Sequence, residues 1–249
     1  MKLLVASVFS PSDRNPVWYA LQRQFLGTTT DVPFTHALFL NGVDPTPFTN
    51  SQVIGVAPGN LGHVQGLEQI VDYFHRNEEY THLLMLDSDA WPVCPKWATV
   101  LTRLMERHGK HAAAPLRFEN LDTFPHPCAM FIDRREIGLV REWTTTPCKN
   151  LLWRDVVDVG THLWGDVGKF LPLVRTNRLS PHPVFGAIYG HLFYHHGAGS
   201  REPVTRSMLA GMYDHYIPGD RHAEIEGRLY EELVRDPHRL MSRLTGALP

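Results

Sequence analysis

The chain has little cysteine, almost no excess charge and no long hydrophobic run. Its three cysteines, Cys94, Cys128 and Cys148, are far apart and form no Cys-x-x-Cys pair, which excludes a disulfide framework and a structural zinc site. We therefore expect a reducing, cytoplasmic environment. The 24 basic and 26 acidic residues leave a formal charge of −2, which argues against binding to a nucleic acid backbone. No apolar stretch reaches about 18 residues, so we expect a soluble protein without an integral membrane segment.

What the sequence does contain is enough apolar material for one large core. The 249 residues are 43% hydrophobic and 20% charged, as in ordinary globular proteins. Up to residue 108, apolar strand-like runs alternate with segments in which apolar residues recur at helical spacing. This alternation predicts an α/β fold with a mostly parallel sheet covered by helices on both faces. We expect strands at 3–9, 34–40, 53–57 and 82–86, and helices around 18–25, 64–74 and 97–105.

The pattern becomes less regular after residue 110, where longer, proline-rich connections separate the apolar runs. The C-terminal part is predicted to be helical, since Ile225, Leu229 and Leu233 step by four and Asp236-Pro237 is typical of a helix start. We interpret the chain as a single domain, with further strands expected at 112–114, 129–132 and 188–196. This domain, 1–249, divides into 1–110, 111–205 and a C-terminal loop with helices over 206–249.

The strongest chemical feature is the apolar run 83–86, which ends in Asp87-Ser88-Asp89. In open α/β sheets, ligands bind beyond the carboxyl ends of the strands. Two carboxylates placed two residues apart at such an end would offer oxygen ligands to a hard cation such as Mg²⁺ or Mn²⁺. A solvated turn, in which Asp89 caps local backbone, is the alternative.

A glycine-rich segment, Gly59-Asn60-Leu61-Gly62, lies between the third expected strand and the following helix. Glycines at such a junction let the backbone approach a ligand, and a helix N-terminus favours anions. The segment is neither the G-x-G-x-x-G dinucleotide fingerprint nor a phosphate loop that ends in Gly-Lys-Ser/Thr. A tight turn that binds no ligand is the alternative.

Histidines accumulate toward the C-terminus, where eight of the fifteen follow residue 160. His191, His195 and His196 precede the turn segment 197–200, which contains two glycines. If 188–196 is one strand, His191 and His195 share a face and His196 points the other way. Any of the three could complete a metal shell, although a buried histidine satisfied by a hydrogen bond is the alternative for each.

Taken in this order, the three motifs resemble those of nucleotide-sugar glycosyltransferases with the GT-A fold, most of all glycosyltransferase family 2 and its relatives. The order and spacing agree over 1–132 and again near 188–200. The resemblance implies a Rossmann-like GT-A fold, with a nucleotide-sugar-binding half at 1–110 and an acceptor-side, metal-completing half at 111–205. It also implies a Mn²⁺ or Mg²⁺ cofactor and a nucleotide-sugar donor, with a slight preference for a UDP-sugar.

The same resemblance implies roles for individual residues. Asp89 would bind the cation, and Asp87 would reach the donor ribose or, through water, the cation. His195 matches the histidine of the family's C-terminal motif and would contact the metal or the diphosphate. His191 and His196 are further metal candidates. The positions expected to hold the nucleotide sugar are Phe9, Ser10, Asp13, Asn60, Gly62, Asp87 and Ser88.

The catalytic base is the point at which the chain departs from its relatives. They often carry a Glu-Asp pair whose aspartate acts as base in inverting enzymes, but no Glu-Asp dipeptide occurs here between residues 130 and 190. Asp158 is the first candidate, because it precedes a helix expected near Gly160, and Asp155 and Asp166 are alternates. An N-cap role for Asp158 is the alternative. We expect an inverting transfer to a hydroxyl of a glycan, lipid-linked or small-molecule acceptor.

Other function classes stay open at this point. A metal-dependent hydrolase could use the Asp/His cluster as ligands, and a non-catalytic module could bind the nucleotide sugar without transfer. A nucleotidyltransferase would be expected to open with a glycine-rich basic loop after the first strand, which this chain lacks. The acidic residues of the helix expected at 223–234 favour a solvated or dimer-forming helix, so a homodimer is also considered.

Overall fold

A seven-stranded sheet lies at the centre of the part of the chain that the computed structural model describes, which comprises residues 1–115, 125–136, 156–159, 186–197 and 221–245. Three further strands form a smaller second sheet. Numbered along the chain, the strands are β1 (Leu3–Phe9), β2 (Phe34–Asn41), β3 (Gln52–Ala57), β4 (His82–Asp87), β5 (Ala90–Pro92), β6 (Ala112–Ala114), β7 (Ala129–Asp133), β8 (Val157–Asp158), β9 (Ala187–Tyr189) and β10 (Phe193–His195).

The strands of the larger sheet follow the order β3-β2-β1-β4-β7-β6-β8. β1 pairs in parallel with β2 and with β4, and β2 pairs in parallel with β3. β7 is antiparallel to both of its neighbours, β4 and β6, and β8 runs parallel to β6. The expected α/β fold with a mixed, mostly parallel sheet is therefore confirmed.

Helices cover both faces of this sheet because side chains alternate along each strand. Leu4 and Val8 of β1 share a buried cluster with Ile70, whereas Leu3 shares one on the opposite face with Leu101. None of the described helices is long and apolar enough to cross a membrane. The helices are α1 (Asn15–Thr29), α2 (His63–Arg76), α3 (Trp97–His108), α4 (Arg221–Arg235) and α5 (Pro237–Thr245), with a 3₁₀ turn at Arg134–Glu136.

The second sheet corrects one expectation. Residues 188–196 do not form one strand, because β9 and β10 are antiparallel strands joined by a turn at 190–192, and β10 also pairs with β5. Gly190 and His191 both have left-handed backbone conformations, with φ of 55° and 56°. The chain reverses there, so His191 and His195 do not share a face of one strand. The pairing of β10 with β5 instead brings His195 next to the end of β4.

Candidate metal centre

Two aspartates stand at the carboxyl end of β4, in the middle of the larger sheet. Asp87 is the last residue of β4, and Asp89 lies in the two-residue turn that ends where β5 begins at Ala90. Residues 83–86 of β4 are apolar and buried, so the carboxylates follow directly from a strand covered on both faces. Asp89 is only 1% exposed, and Ser88 between the two aspartates is also buried.

β10 brings a histidine to these carboxylates. His195 pairs with Ala90 across the β5–β10 ladder, and the backbone N–H of His196 donates to the carbonyl of Asp89 at 3.0 Å. The Nε2 atom of His195 lies 3.4 Å from Oδ2 of Asp87 and 3.6 Å from Oδ1 of Asp89. One ligand atom from each of Asp87, Asp89 and His195 lies within 4.8 Å of the others. These three residues could hold a metal ion, and we call them the metal group.

The metal group contains carboxylate oxygens that lack a hydrogen-bond partner. Within the described residues, both oxygens of Asp89 and Oδ1 of Asp87 are buried without a hydrogen bond. A buried carboxylate in that state is costly, and nearly all buried polar groups in proteins have a partner. A divalent cation would supply one, and two carboxylates with one imidazole are a donor set that Mn²⁺, Mg²⁺ or Zn²⁺ accepts. The residues present therefore fit the expected cation.

Histidines around the carboxylates dominate the electrostatics of the metal group. Burial alone would raise the pKa of Asp87, but the hydrogen bond with His195 and the nearby His63 lower it well below its usual range. Burial likewise opposes the charged form of His195, yet Cys128, Asp89 and Asp87 hold its pKa well above the usual range. The charged form of His195 is therefore favoured beside the side chains of Asp87 and Asp89.

A buried asparagine joins the loop after β1 to the loop before α2. Asn41, the last residue of β2, donates through Nδ2 to Oδ1 of Asn60 at 2.9 Å and to the carbonyl of Gly62 at 3.1 Å. The same Nδ2 lies 3.3 Å from Oγ of Ser10, and Oδ1 of Asn41 accepts from the N–H of Leu61 at 2.8 Å. Ser10, Asn60 and Gly62, three of the positions predicted to hold the nucleotide sugar, are thus brought together. Sequence reasoning missed this role of Asn41, although an Asn-Gly pair at a strand end was the available signal.

Two glycines allow these loops to approach each other. Gly42 has φ of 79°, and a Cβ at this position would lie 2.7 Å from the backbone nitrogen of Asn60. Gly62 has φ of 93° and immediately precedes α2. Residues with a side chain rarely adopt such backbone conformations. The glycine-rich segment therefore fits closely against the end of β2.

His63 is a residue of the site that sequence reasoning did not single out. It is the first residue of α2, and its Nε2 atom lies 3.5 Å from Oδ1 of Asp87 while 49% of its side chain is exposed. The N-terminus of a helix favours anions. His63 thus lies between a helix end that favours anions and the metal group. In the sequence, its position directly after Gly62 was the available signal for a role in the site.

Gln22 of α1 holds the turn that carries the aspartates. Its Nε2 donates to the carbonyl of Asp87 at 3.1 Å and to the carbonyl of Ala90 at 2.9 Å. Its Oε1 accepts from the hydroxyl of Ser7 and from Nε2 of His36, each at 3.0 Å. Burial lowers the pKa of His36 to about 3, so its imidazole is neutral and donates to Gln22. Nothing in the local sequence marks Gln22, because it acts on residues 65 and 68 positions away.

Other positions predicted to hold the nucleotide sugar lie at or near the end of β1. The ring of Phe9 is fully buried and packs edge-on against Tyr19 and Phe48, so it belongs to the core. The carbonyl of Ser10 accepts from Nδ2 of Asn15 at 2.9 Å. Asp13 lies in an exposed turn. Binding of a nucleotide sugar at these positions stays a prediction.

His196 is turned away from the metal group, which corrects the expectation that it is a metal candidate. Its Nδ1 lies 2.9 Å from the hydroxyl of Tyr194, and its Nε2 lies 2.9 Å from Oε1 of Glu226. Both ring nitrogens are therefore engaged. The ring of His196 points away from that of His195 because consecutive residues of an extended chain point to opposite sides. His191 lies in the turn between β9 and β10 and does not belong to the metal group.

Asp158, the first candidate for the base, is the last residue of β8 and is buried. β8 and β6 run parallel to each other, and both run in the direction of β4 because β7 is antiparallel to β4 and to β6. The carboxyl ends of β4 and β8 therefore lie at the same edge of the sheet, three strand spacings or about 14 Å apart. The alternates Asp155 and Asp166 lie outside the described residues.

Comparison with known proteins gives likenesses to solved structures only. No family model matches the chain, and no curated protein matches it. The mannosyltransferase PcManGT from Pyrobaculum calidifontis, in complex with GDP-Man and Mn²⁺, is 9% identical over 98% of this chain and 85% of that chain, with a TM-score of 0.45. TarS 1–349 from S. aureus, in complex with UDP-GlcNAc, is 13% identical with a TM-score of 0.36, and A197 from STIV is 12% identical with a TM-score of 0.33.

The likenesses to TarS 1–349 and to A197 cover only part of each chain. The match covers 46% of this chain and 34% of TarS 1–349, and it covers 55% of this chain and 66% of A197. A mannosyltransferase is among the structures that this chain resembles. At such identities and TM-scores the likenesses assign no activity, so the function depends on the site itself.

Proposed function

We propose that this chain is a metal-dependent glycosyltransferase that moves a sugar from a nucleoside diphosphate to a hydroxyl acceptor. The observation that carries this proposal is the metal group, in which both oxygens of buried Asp89 lack a hydrogen bond within the described residues. The group lies at the carboxyl edge of an open, mostly parallel sheet, where ligands of such sheets bind.

The metal group and the loops beside it supply what a sugar nucleotide requires. Asp87, Asp89 and His195 would hold Mn²⁺ or Mg²⁺, which when bound stabilises the negative charge on the leaving diphosphate. The N-terminus of α2 supplies backbone N–H groups that favour the anionic diphosphate. Half-exposed His63 adds an imidazole there. The loop that follows β1, anchored through Ser10, would hold the nucleoside, and a UDP-sugar is slightly preferred as donor.

The acceptor hydroxyl needs a base, because a hydroxyl is a poor nucleophile near neutral pH. Asp158 is the proposed base, with Asp155 and Asp166 as alternates, and it would take the proton of the acceptor in an inverting transfer. Its support is its place at the end of β8, on the same sheet edge as Asp87. The acceptor class, a cytoplasmic location and a homodimer are proposed on the sequence arguments alone.

A thermal-shift screen of nucleoside diphosphates tests the proposed function without knowledge of the acceptor. A ligand that binds only the folded protein raises its melting temperature by mass action. We expect one nucleoside diphosphate to stabilise the wild type only when Mn²⁺ is present, and to leave Asp89→Asn unchanged. Asp44→Asn, which alters an exposed carboxylate outside the site, is the matched control and should respond like the wild type.

The opposite pattern would favour the hydrolase alternative. If Zn²⁺ alone stabilises the wild type and no nucleoside diphosphate does so with any divalent cation, the glycosyltransferase proposal is wrong. If a sugar nucleotide binds but is neither hydrolysed nor used as a donor, the chain is a binding module.

A further inference from the structure

A buried glutamate of α4 contacts two segments that adjoin the site. Glu226 is 7% exposed, and its Oε1 lies 2.9 Å from Nε2 of His196. The guanidinium of Arg14 also donates to this carboxylate, through Nη1 to Oε1 and through Nη2 to Oε2, the latter at 3.1 Å. Because a carboxylate only accepts hydrogen bonds, Nε2 of His196 carries the proton between them. One side chain thus joins two segments that are about 180 positions apart in the chain.

Each of these partners adjoins a different part of the site. His196 directly follows the metal-group residue His195, and its backbone N–H donates to the carbonyl of Asp89. Arg14 directly follows the loop 10–13, which belongs to the proposed nucleoside side. Its guanidinium also lies over the ring of Tyr230, 3.7 Å from the ring centre. A shift of Glu226 would therefore be transmitted both to the histidine of the metal group and to the nucleoside loop.

The apolar face of α4 does not need this carboxylate in order to pack. Leu229 and Leu233 are buried in one cluster with Trp18 and Tyr194, and this burial stabilises the position of the helix. A buried ion pair loses much of its attraction to the cost of removing both charges from water, so it is weak support for a purely stabilising role. The hydrogen bonds of Glu226 are directional, in contrast, and they fix the orientation of the His196 ring and of Arg14.

We propose that Glu226 is a positioning residue of the site, which holds His195 and the nucleoside loop in one fixed arrangement. This inference rests on the proposed function. Groups that orient a metal ligand without touching the metal change metal affinity or activity by about 10–100-fold when they are removed. Glu226 acts one residue away from the ligand, through the backbone that joins His195 to His196.

Mn²⁺ affinity, measured without nucleotide by the electron paramagnetic resonance of free Mn²⁺, tests this role. Glu226→Gln keeps the volume of the side chain and removes its charge. We expect this variant to bind Mn²⁺ at least about tenfold more weakly than the wild type. Glu232→Gln is the matched control, since Glu232 lies on the same helix and pairs with Arg243 at 2.5 Å, an ion pair that is partly exposed. We expect this control to bind Mn²⁺ like the wild type.

The melting temperature of each variant separates positioning from stability. If Glu226→Gln melts at a lower temperature but binds Mn²⁺ as tightly as the wild type, the positioning role is overturned and the proposed function is unaffected. If the wild type itself binds no Mn²⁺ without nucleotide, this role falls, and the proposed function is decided by the thermal-shift screen with nucleotide. Should Glu226→Gln not fold, Tyr194→Phe removes the other hydrogen bond of the His196 ring and keeps the aromatic core. Unchanged Mn²⁺ affinity in that variant would overturn the role in the same way.

Discussion

At the scale of single residues, the buried carboxylates differ in what neutralises them. Glu226 has Arg14 and His196 as hydrogen-bond partners, and Asp87 has His195 and His63 beside it. Among the described residues, the carboxylate of Asp89 has a longer contact, of 3.6 Å, to the same His195. Side chains of the protein therefore stabilise the carboxylate of Glu226, whereas the surroundings of the Asp89 carboxylate suit an added cation. These two carboxylates should respond differently to metal.

Glu226 should make folding sensitive to acid. Burial would raise its pKa, but His196 and Arg14 lower it to about 2, from an ordinary value of 4.5. Because the pKa of Glu226 is depressed in the folded protein, its ionised form stabilises the fold. This contribution is complete at pH values above the ordinary pKa of 4.5 and is lost as the pH falls toward 2. We expect the difference in free energy of unfolding between wild type and Glu226→Gln to shrink by about 2 kcal/mol between about pH 6 and about pH 3.

Urea unfolding of both proteins at several pH values measures this difference. Glu232→Gln serves as the control, because the partly exposed ion pair of Glu232 with Arg243 contributes little to stability. If the difference in free energy of unfolding between wild type and Glu226→Gln stays constant with pH, the pKa of Glu226 is not depressed in the folded protein.

At the scale of helices and strands, α2 packs directly on β1 through a glycine. A Cβ added at Gly66 would lie 2.6 Å from Cγ1 of Val8, well inside ordinary contact distance. Valine is stiff about its first side-chain torsion, so it yields poorly to such a contact. This close approach sets the position of the N-terminus of α2, and with it Gly62 and His63, relative to the edge of the sheet.

Two glycine-to-alanine substitutions in helices should therefore have opposite effects. Gly66→Ala should lower the free energy of unfolding by about 1–3 kcal/mol, because overpacking outweighs the better helix propensity of alanine. Gly27→Ala in α1 should raise it by about 0.5–1 kcal/mol, because no atom lies within 4 Å of the added Cβ. Urea or thermal unfolding measures both. Equal stabilisation by the two substitutions would mean that α2 does not pack on β1 as closely as described.

At the scale of the whole molecule, features that arise from neighbouring residues could be predicted and features that join distant residues could not. The apolar run of β4 and the carboxylates after it are local in sequence, so the edge of the sheet and the two aspartates of the metal group were predictable, whereas only the family resemblance singled out His195. The reversal at Gly190 was missed because the apolar pattern on either side continues across it. The pair of Arg14 and Glu226 spans 212 positions, and such a contact leaves no periodic or local signal.

The geometry of the sheet also makes the proposed base testable. Asp158 lies about 14 Å from the metal group along the edge, so its loss should spare donor binding. We expect Asp158→Asn to keep the Mn²⁺-dependent stabilisation by nucleotide and to lose at least about 100-fold in release of nucleoside diphosphate from the sugar nucleotide. Asp133→Asn is the control, because this buried aspartate ends the antiparallel strand β7 and thus lies at the opposite edge. Unchanged turnover in Asp158→Asn would assign the proton transfer to another group, and loss of its nucleotide binding would place Asp158 at the donor site instead.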